Sequence, residues 1–262
     1  MTVDLITLEV VNEALITVVR EMRASVIRSS YSPVIYELDD FSCAIFNAGS
    51  ELVAQSEDHP GHVMPMPWTV RFAMEDLGEE MRPGDIVLVN DPYRGGTHLN
   101  DVTLIYPVFE DGRLVLMPVV RTHWSDVGGM TPGSYSGLAT NVFQEGIRIP
   151  AVKIYQEGKV NSAMLSIIKS NMRLPEHRIG DLQAMIGTCK TAEQRLQQLI
   201  AKYGLAALLN CVTANLDRCE ARMREKIQEL PNGEYVHEDY LEYYDDGLFD
   251  PVLMRLSLTI DD

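Results

Sequence analysis

The sequence predicts an α+β chain: an opening helix and a β-rich region, then a long antiparallel helical hairpin, then terminal strands. Three observations lead there. Apolar residues recur at helical spacing over residues 4–29 and 178–229, whereas from 34 to 129 they alternate or run in short blocks between turn residues. At 262 residues, with 46% hydrophobic and 23% charged residues, the chain can bury a core without disulfides. The changes of pattern divide it into residues 1–160, 161–230 and 231–262, the last reading as the interrupted start of a further β region.

The opening helix carries two apolar stripes, Ile6-Val10-Ala14-Val18-Met22-Val26 and Leu8-Val11-Leu15-Val19, and Pro33 prevents its continuation. Phe41–Phe46 and Glu51–Gln55 flank Asn47-Ala48-Gly49-Ser50 as a hairpin. A short helix follows over Trp68–Leu77, then strands at Asp85–Asn90, Val102–Phe109 and Leu114–Thr122, with Asp111-Gly112 turning the last two. Residues 125–150, rich in glycine, read as a long ordered loop, a feature that points to function. Ile179, Leu182, Ile186, Cys189, Leu196 and Ile200, then Leu205, Leu209, Val212, Leu216, Cys219, Met223 and Ile227, form the hairpin around Gly204. Leu253–Ile260 is the last strand, in an acidic segment with Arg255 as its one base from Glu229 onward.

Charge narrows the function. With 38 acids against 22 bases the net charge is −16, which repels nucleic-acid phosphates and anionic membrane surfaces. The Met1-Thr2-Val3-Asp4 start has no basic region, and no apolar run approaches ~20 residues, so neither a signal peptide nor a membrane span is expected. The four cysteines form no CxxC pair; they read as buried free thiols in a reducing cytoplasm. No phosphate loop, no GxGxxG after a strand and no Gly-x-Ser-x-Gly elbow occurs.

The residues that can do chemistry lie in two segments. In Asp91-Pro-Tyr-Arg-Gly-Gly-Thr-His98-Leu-Asn-Asp101, His98 and Asp101 stand three apart just before a strand. In Arg121-Thr-His123-Trp-Ser-Asp126-Val-Gly-Gly, His123 closes the antiparallel partner strand. The start of one hairpin strand lies beside the end of the other, so His98, Asp101 and His123 meet at one end. Two imidazoles and a carboxylate there can share a cation. Asp39 or Asp40, at the entry to the Phe41 strand, offers a fourth ligand.

Together these segments resemble the hydantoinase B/oxoprolinase family. The resemblance rests on Asp40-Phe41-Ser42, Val53-Ala54-Gln55, His59-Pro-Gly-His62, Asn90-Asp91-Pro-Tyr-x-Gly-Gly-Thr-His98-x-x-Asp101 and His123-Trp-x-Asp126-Val-Gly-Gly. Pro132-Gly133-Ser134, Gln144-Glu145-Gly-Ile-Arg148-Ile-Pro, Asn171-x-Arg173 and Gly180-Asp181-Leu182 continue it. It implies a divalent metal, zinc or manganese, on Asp40, His98, Asp101 and His123, the choice of Asp40 over Asp39 resting on the family pattern. It also implies a hetero-oligomer with an A-type subunit that binds ATP and phosphorylates a small cyclic amide, whose ring is opened here. Asp126 or His62 is expected to take a proton, and Glu145 and Arg148 to lie at the substrate cleft or the subunit seam. The Gly128-Gly129 and Pro132–Ser134 amides are expected to receive an anion. Two other readings stand beside this one: a subunit of an acetone-type carboxylase, and a structural subunit without chemistry. Family members are longer, so the chain reads as an N-terminal part that needs its remainder or its partner.

Overall fold

Asp4 opens α1 (Leu5–Ser29) by accepting a hydrogen bond from Thr7 N at 3.0 Å. One face of this helix is buried through Leu8, Val11, Leu15, Val18, Val19, Met22 and Val26. The predicted stripe is exposed at its start, at Ile6 and Val10. Proline then sets the punctuation: α2 (Pro33–Tyr36), α3 (Pro60–Val63) and α4 (Met66–Leu77) all carry it in their first two positions, where a missing N–H costs no bond. The computed structural model describes residues 4–242, 244–245, 248–249 and 251–261. These fall into two compact units, Met1–Val212 and Thr213–Asp262.

The first unit is built on one antiparallel sheet. Its strands are β1 (Phe41–Asn47), β2 (Leu52–Gln55), β3 (Ile86–Val89), β4 (Asp101–Ile105), β5 (Val108–Glu110), β6 (Arg113–His123), β7 (Val152–Gln156) and β8 (Lys159–Val160). They run in the order β2-β1-β6-β4-β3-β7-β8, with β5 paired to β6. The predicted strand Val102–Phe109 is therefore two, both laid on the long β6. Pro107, which has no N–H to give the ladder, stands in the gap. Asp111 and Gly112 make the turn with φ of 49° and 72°, as a two-residue hairpin of matching twist requires. Glu157 and Gly158 repeat that geometry between β7 and β8, a hairpin the sequence reading passed over.

Both faces of the sheet are covered. Ala44, Phe46, Val87, Val89, Ile105, Met117 and Val119 pack against Met66, Val70 and Ala73 of α4. The opposite face meets α1 and α6 (Pro175–Tyr203): Arg23 lies over the Phe41 ring, and the Cys189 Sγ sits 3.9 Å from Pro118 O. Between β8 and α6 lies α5 (Ser162–Ser170). Asp181 of α6 accepts bonds from Tyr31 N at 2.8 Å and Ser32 N at 3.1 Å, tying α6 to the end of α1. Gly180 lies against the Tyr31 ring, where a Cβ would come within 2.6 Å.

The expected antiparallel helical hairpin does not form. At Gly204 (φ 84°) the chain bends by 105° between α6 and α7 (Leu205–Gln228), and the apolar face of α6 is covered instead by α1 and the sheet. Cys43, Cys189 and Cys211 are buried free thiols, whereas Cys219 is exposed. The second unit holds most of α7 and two short ribbons. In one, β9 (Gly233–Leu241) pairs with β12 (Val252–Ile260); in the other, β10 (Tyr244–Asp245) pairs with β11 (Leu248–Phe249). Among the described residues no single helix is long and apolar enough to cross a membrane.

Candidate metal centre

The strand order β1-β6-β4 places three strand ends side by side. Phe41 is paired with Thr122, and His123 N donates to Asp40 O at 3.0 Å, so Asp40 adjoins His123 across the β1–β6 edge. On the other side of β6, His123 is the register partner of Asp101. Alternation along the strands directs Asp101, Thr103 and Ile105, like Arg121 and His123, to the face covered by α3 and α4. Asp40, His123 and Asp101 thus form one row.

Two further imidazoles close on this row. The turn Asp91–Asp101 carries His98 up to it. Asp91 accepts from Tyr93 N at 3.0 Å, and Gly95 (φ 83°) reverses the chain so close to α4 that a Cβ would lie 2.3 Å from Thr69 N. His62 enters from α3. The resulting contacts are dense. His98 Nδ1 stands 3.1 Å from Asp101 Oδ2, and His123 Nδ1 lies 3.4 Å from Asp101 Oδ1 and 3.7 Å from Asp40 Oδ2. His62 Nε2 lies 3.2 Å from Asp101 Oδ2 and 3.3 Å from Asp40 Oδ1. Thr97 donates its hydroxyl to Asp101 Oδ2. All these residues line a cleft of about 410 Å³, which His59 and Gly61 complete.

The charge balance follows from this packing. Burial alone would raise the Asp101 pKa, but the close imidazoles of His123, His62 and His98 hold it well below the carboxylate range. The Asp101 contact in turn raises the His98 pKa, against the opposing effect of burial. The donor set fits a divalent cation. One atom from each of His98, Asp101 and His123 lies within 4.8 Å of the others. His98 Nδ1 and Asp101 Oδ1 are buried without a well-formed hydrogen bond, which two groups this polar do not tolerate unless something else engages them. Mixed imidazole and carboxylate donors suit zinc or manganese.

The other predicted residues separate. His62 is buried inside the cluster. Glu145 lines an adjoining cleft of about 240 Å³ that shares His98 and includes Asn100 and Ser134–Gly137. Arg148 is directed to Asp91, 3.8 Å away, between the rings of Tyr93 and Phe143. Asp126 does not reach the cleft as a free base. It accepts from Gly128 N and Gly133 N at 2.8 Å each, and from Arg173 N and Nη1 at 3.2 Å each. Burial works against these bonds, yet they leave its pKa lowered. Two of the amides expected to hold a substrate anion, those of Gly128 and Gly133, therefore hold Asp126, and the charge of Arg173 completes the latch.

Several buried polar residues have a role that the sequence does not assign, although Asn90 and Arg121 open two of the segments read from it. Asn90 gives its amide to Leu99 O at 2.6 Å and Ile147 O at 3.0 Å and accepts from Ile149 N, joining the His98 turn to the 125–150 loop. Asn100 bonds Trp124 O at 2.7 Å. Arg121 lies fully buried below the cleft. Their local signal in the sequence is a polar residue beside a run of strand apolars.

Known proteins share this arrangement of chain. The family model described as hydantoinase B/oxoprolinase matches residues 4–262. The caprolactamase subunit beta of Pseudomonas jessenii is 34% identical over 94% of this chain and 42% of its own length. The crystal structure of the ATP-dependent caprolactamase from Pseudomonas jessenii superposes with a TM-score of 0.93 at 32% identity, over 100% of this chain and 45% of that one. A nucleotide-free acetone carboxylase structure has a TM-score of 0.86 at 20% identity, over 98% of this chain and 36% of that one, a likeness of fold. The chain spans less than half the length of the curated relative and of each solved chain named here. On the family match along almost its whole length, the chain belongs to the hydantoinase B/oxoprolinase family.

Proposed function

We propose that this chain supplies the metal-dependent ring-opening site of an ATP-dependent cyclic amide hydrolase, within a hetero-oligomer whose A-type partner phosphorylates the substrate. The observation that carries this is the row Asp40–His123–Asp101, with His98 above it, in a cleft open to a small molecule. Asp40, Asp101, His98 and His123 would hold zinc or manganese, which when bound polarises the substrate and lowers the pKa of water. His62 is buried and turns Nε2 to both carboxylates, so it fixes their orientation. Glu145 faces the adjoining cleft as an acceptor for the ring N–H, and His98 stands at the junction of the two clefts. Phosphorylation of the amide oxygen makes the ring carbon electrophilic, so the chemistry left to this chain is addition of water at that carbon, cleavage of the C–N bond with a proton delivered to the ring nitrogen, and attack of a second water on the acyl phosphate so formed, which releases phosphate and the open-chain carboxylate. The relative named as a caprolactamase subunit supports a lactam-like substrate.

The test is hydrolysis of a lactam, hydantoin and oxoproline panel with ATP, the A-type subunit and the metal-loaded chain. Turnover is expected with the partner present and a loss of at least a hundredfold in His98→Ala, on the scale of a disrupted metal site. Full turnover by His98→Ala would point to a structural subunit. The fold likeness to acetone carboxylase favours one second reading, carboxylation at the same site. Incorporation of labelled bicarbonate into product, without ring opening, would support it.

A further inference from the structure

We infer that Arg121 is a positioning residue that binds together the separate chain segments carrying the metal-ligating side chains. The inference rests on the metal-centre reading above. Arg121 has 0% exposure on β6, two residues before His123 and on the same face. Among the described residues no carboxylate forms an ion pair with it; all its hydrogen bonds go to neutral oxygens. Nε donates to Thr103 Oγ1 at 2.8 Å, Nη1 to His62 O at 3.2 Å, and Nη2 to Thr69 Oγ1 at 2.5 Å and to Gly95 O at 3.5 Å.

Each acceptor belongs to an element that delivers a site residue. Thr103 follows Asp101 on β4 by two positions. His62 O is the main chain of a residue in the cluster. Gly95 lies in the turn that ends at Thr97 and His98. Thr69 of α4 donates its own hydroxyl to Gly95 O, so it joins α4 to the same turn. Arg121 itself fixes the end of β6, and with it His123. One planar guanidinium thus spans β4, β6, α3, α4 and the His98 turn. A flat fork with donors at fixed angles suits this task, and a lysine ammonium, a single point on a flexible stem, does not. Burying an unpaired cation is costly, and burial pushes the Arg121 pKa down to about 10, with Asp101 as the charge that opposes this.

Two effects of the guanidinium on a bound cation oppose each other, which makes the inference testable. Its charge repels a second cation, so if charge dominated, its loss would tighten metal binding. Its hydrogen bonds hold the ligands in place, so if positioning dominates, their loss weakens binding even when charge is kept. The measurement is the affinity of the chain for Zn²⁺ by chelator competition, together with the visible spectrum of the Co²⁺-loaded protein, which reports ligand geometry. Arg121→Lys keeps the charge and loses the fork; it is expected to bind Zn²⁺ at least tenfold more weakly, within the range seen when metal-orienting partners are removed. Its Co²⁺ bands are expected to shift. Arg121→Gln is expected to be at least as weak. Thr69→Val retains Arg121 and the packed volume of α4 but removes one acceptor and its tie to Gly95, and is expected to weaken binding about threefold with the same spectral trend. It covers the case in which the arginine variants do not fold. Wild-type affinity and an unshifted spectrum in Arg121→Lys, or tighter binding in Arg121→Gln, would overturn the inference while leaving the metal centre intact. Absence of Zn²⁺ binding by the wild-type chain would overturn the metal centre and this inference together.

Discussion

A carboxylate whose lone pairs are committed to the protein's own donors is poorly placed to take a proton from water, and Asp126 is in that position. Asp126→Asn would turn an amide NH₂ toward amide donors and Arg173, and is expected to cost about 1–3 kcal/mol at pH 7 in chemical denaturation. Because the folded pKa is below the ordinary carboxylate value of 3.8, this stabilisation is fully present above about pH 5. It is lost as pH falls through the folded value. The gap between wild type and Asp126→Asn is therefore expected to close in acid, which unfolding curves from pH 7 to pH 2 would show. At this scale, Asp101, His98 and His123 were legible because residue type and spacing both pointed to a cation. Asp126 was legible as important but not in role, since its partners Gly133 and Arg173 lie 7 and 47 residues away and nothing local announces them.

The elements place the site through pairing register. A hairpin with a two-residue turn fixes which residue faces which, so Asp111-Gly112 alone would set Asp101 opposite Thr122; the bulge at Val108/Phe109 shifts the register by one and brings Asp101 opposite His123, which makes the pairing legible in the sequence only to within one residue. The neighbour relation of β1 to β6 could not be read, because the partners Phe41 and Thr122 lie 81 positions apart, and even Asn47 and Leu116 lie 69 apart, with no local turn to set them. The same limit hid α3, whose His62 arrives across the sheet, and the bend at Gly204, where helix periodicity gives the buried face but not the partner that covers it. One glycine holds an element-scale prediction. Gly95 combines a φ of 83° with a Cβ position 2.3 Å from Thr69 N. Gly95→Ala is therefore expected to push the His98 turn off α4. A loss of about 3 kcal/mol or more in denaturant unfolding is expected, strain and overpacking adding together, with weaker metal binding in the folded fraction.

At the scale of the whole molecule, the proposed function puts the chemistry and the energy source on different chains. No phosphate loop occurs in this sequence, so the chain alone is expected to show no micromolar binding of ATP in equilibrium titration. The ribbon of β9 and β12 leaves Leu256 64% and Leu258 52% exposed, and among the described residues no further strand pairs with either of its edges. Leu256→Lys and Leu258→Lys together are expected to reduce self-association in light scattering without changing metal binding, because the metal cleft is built from the first unit. The central claim is that Asp40, His98, Asp101 and His123 form one divalent site. Metal stoichiometry of the chain after saturation with Zn²⁺ and gel filtration tests it most directly, wild type beside His98→Ala. About one ion per wild-type chain and less than about a tenth of that in His98→Ala are expected, since a tight site survives the column and one lacking a ligand does not. Equal occupancy of the two proteins, or a wild-type chain that leaves the column free of metal, would contradict it.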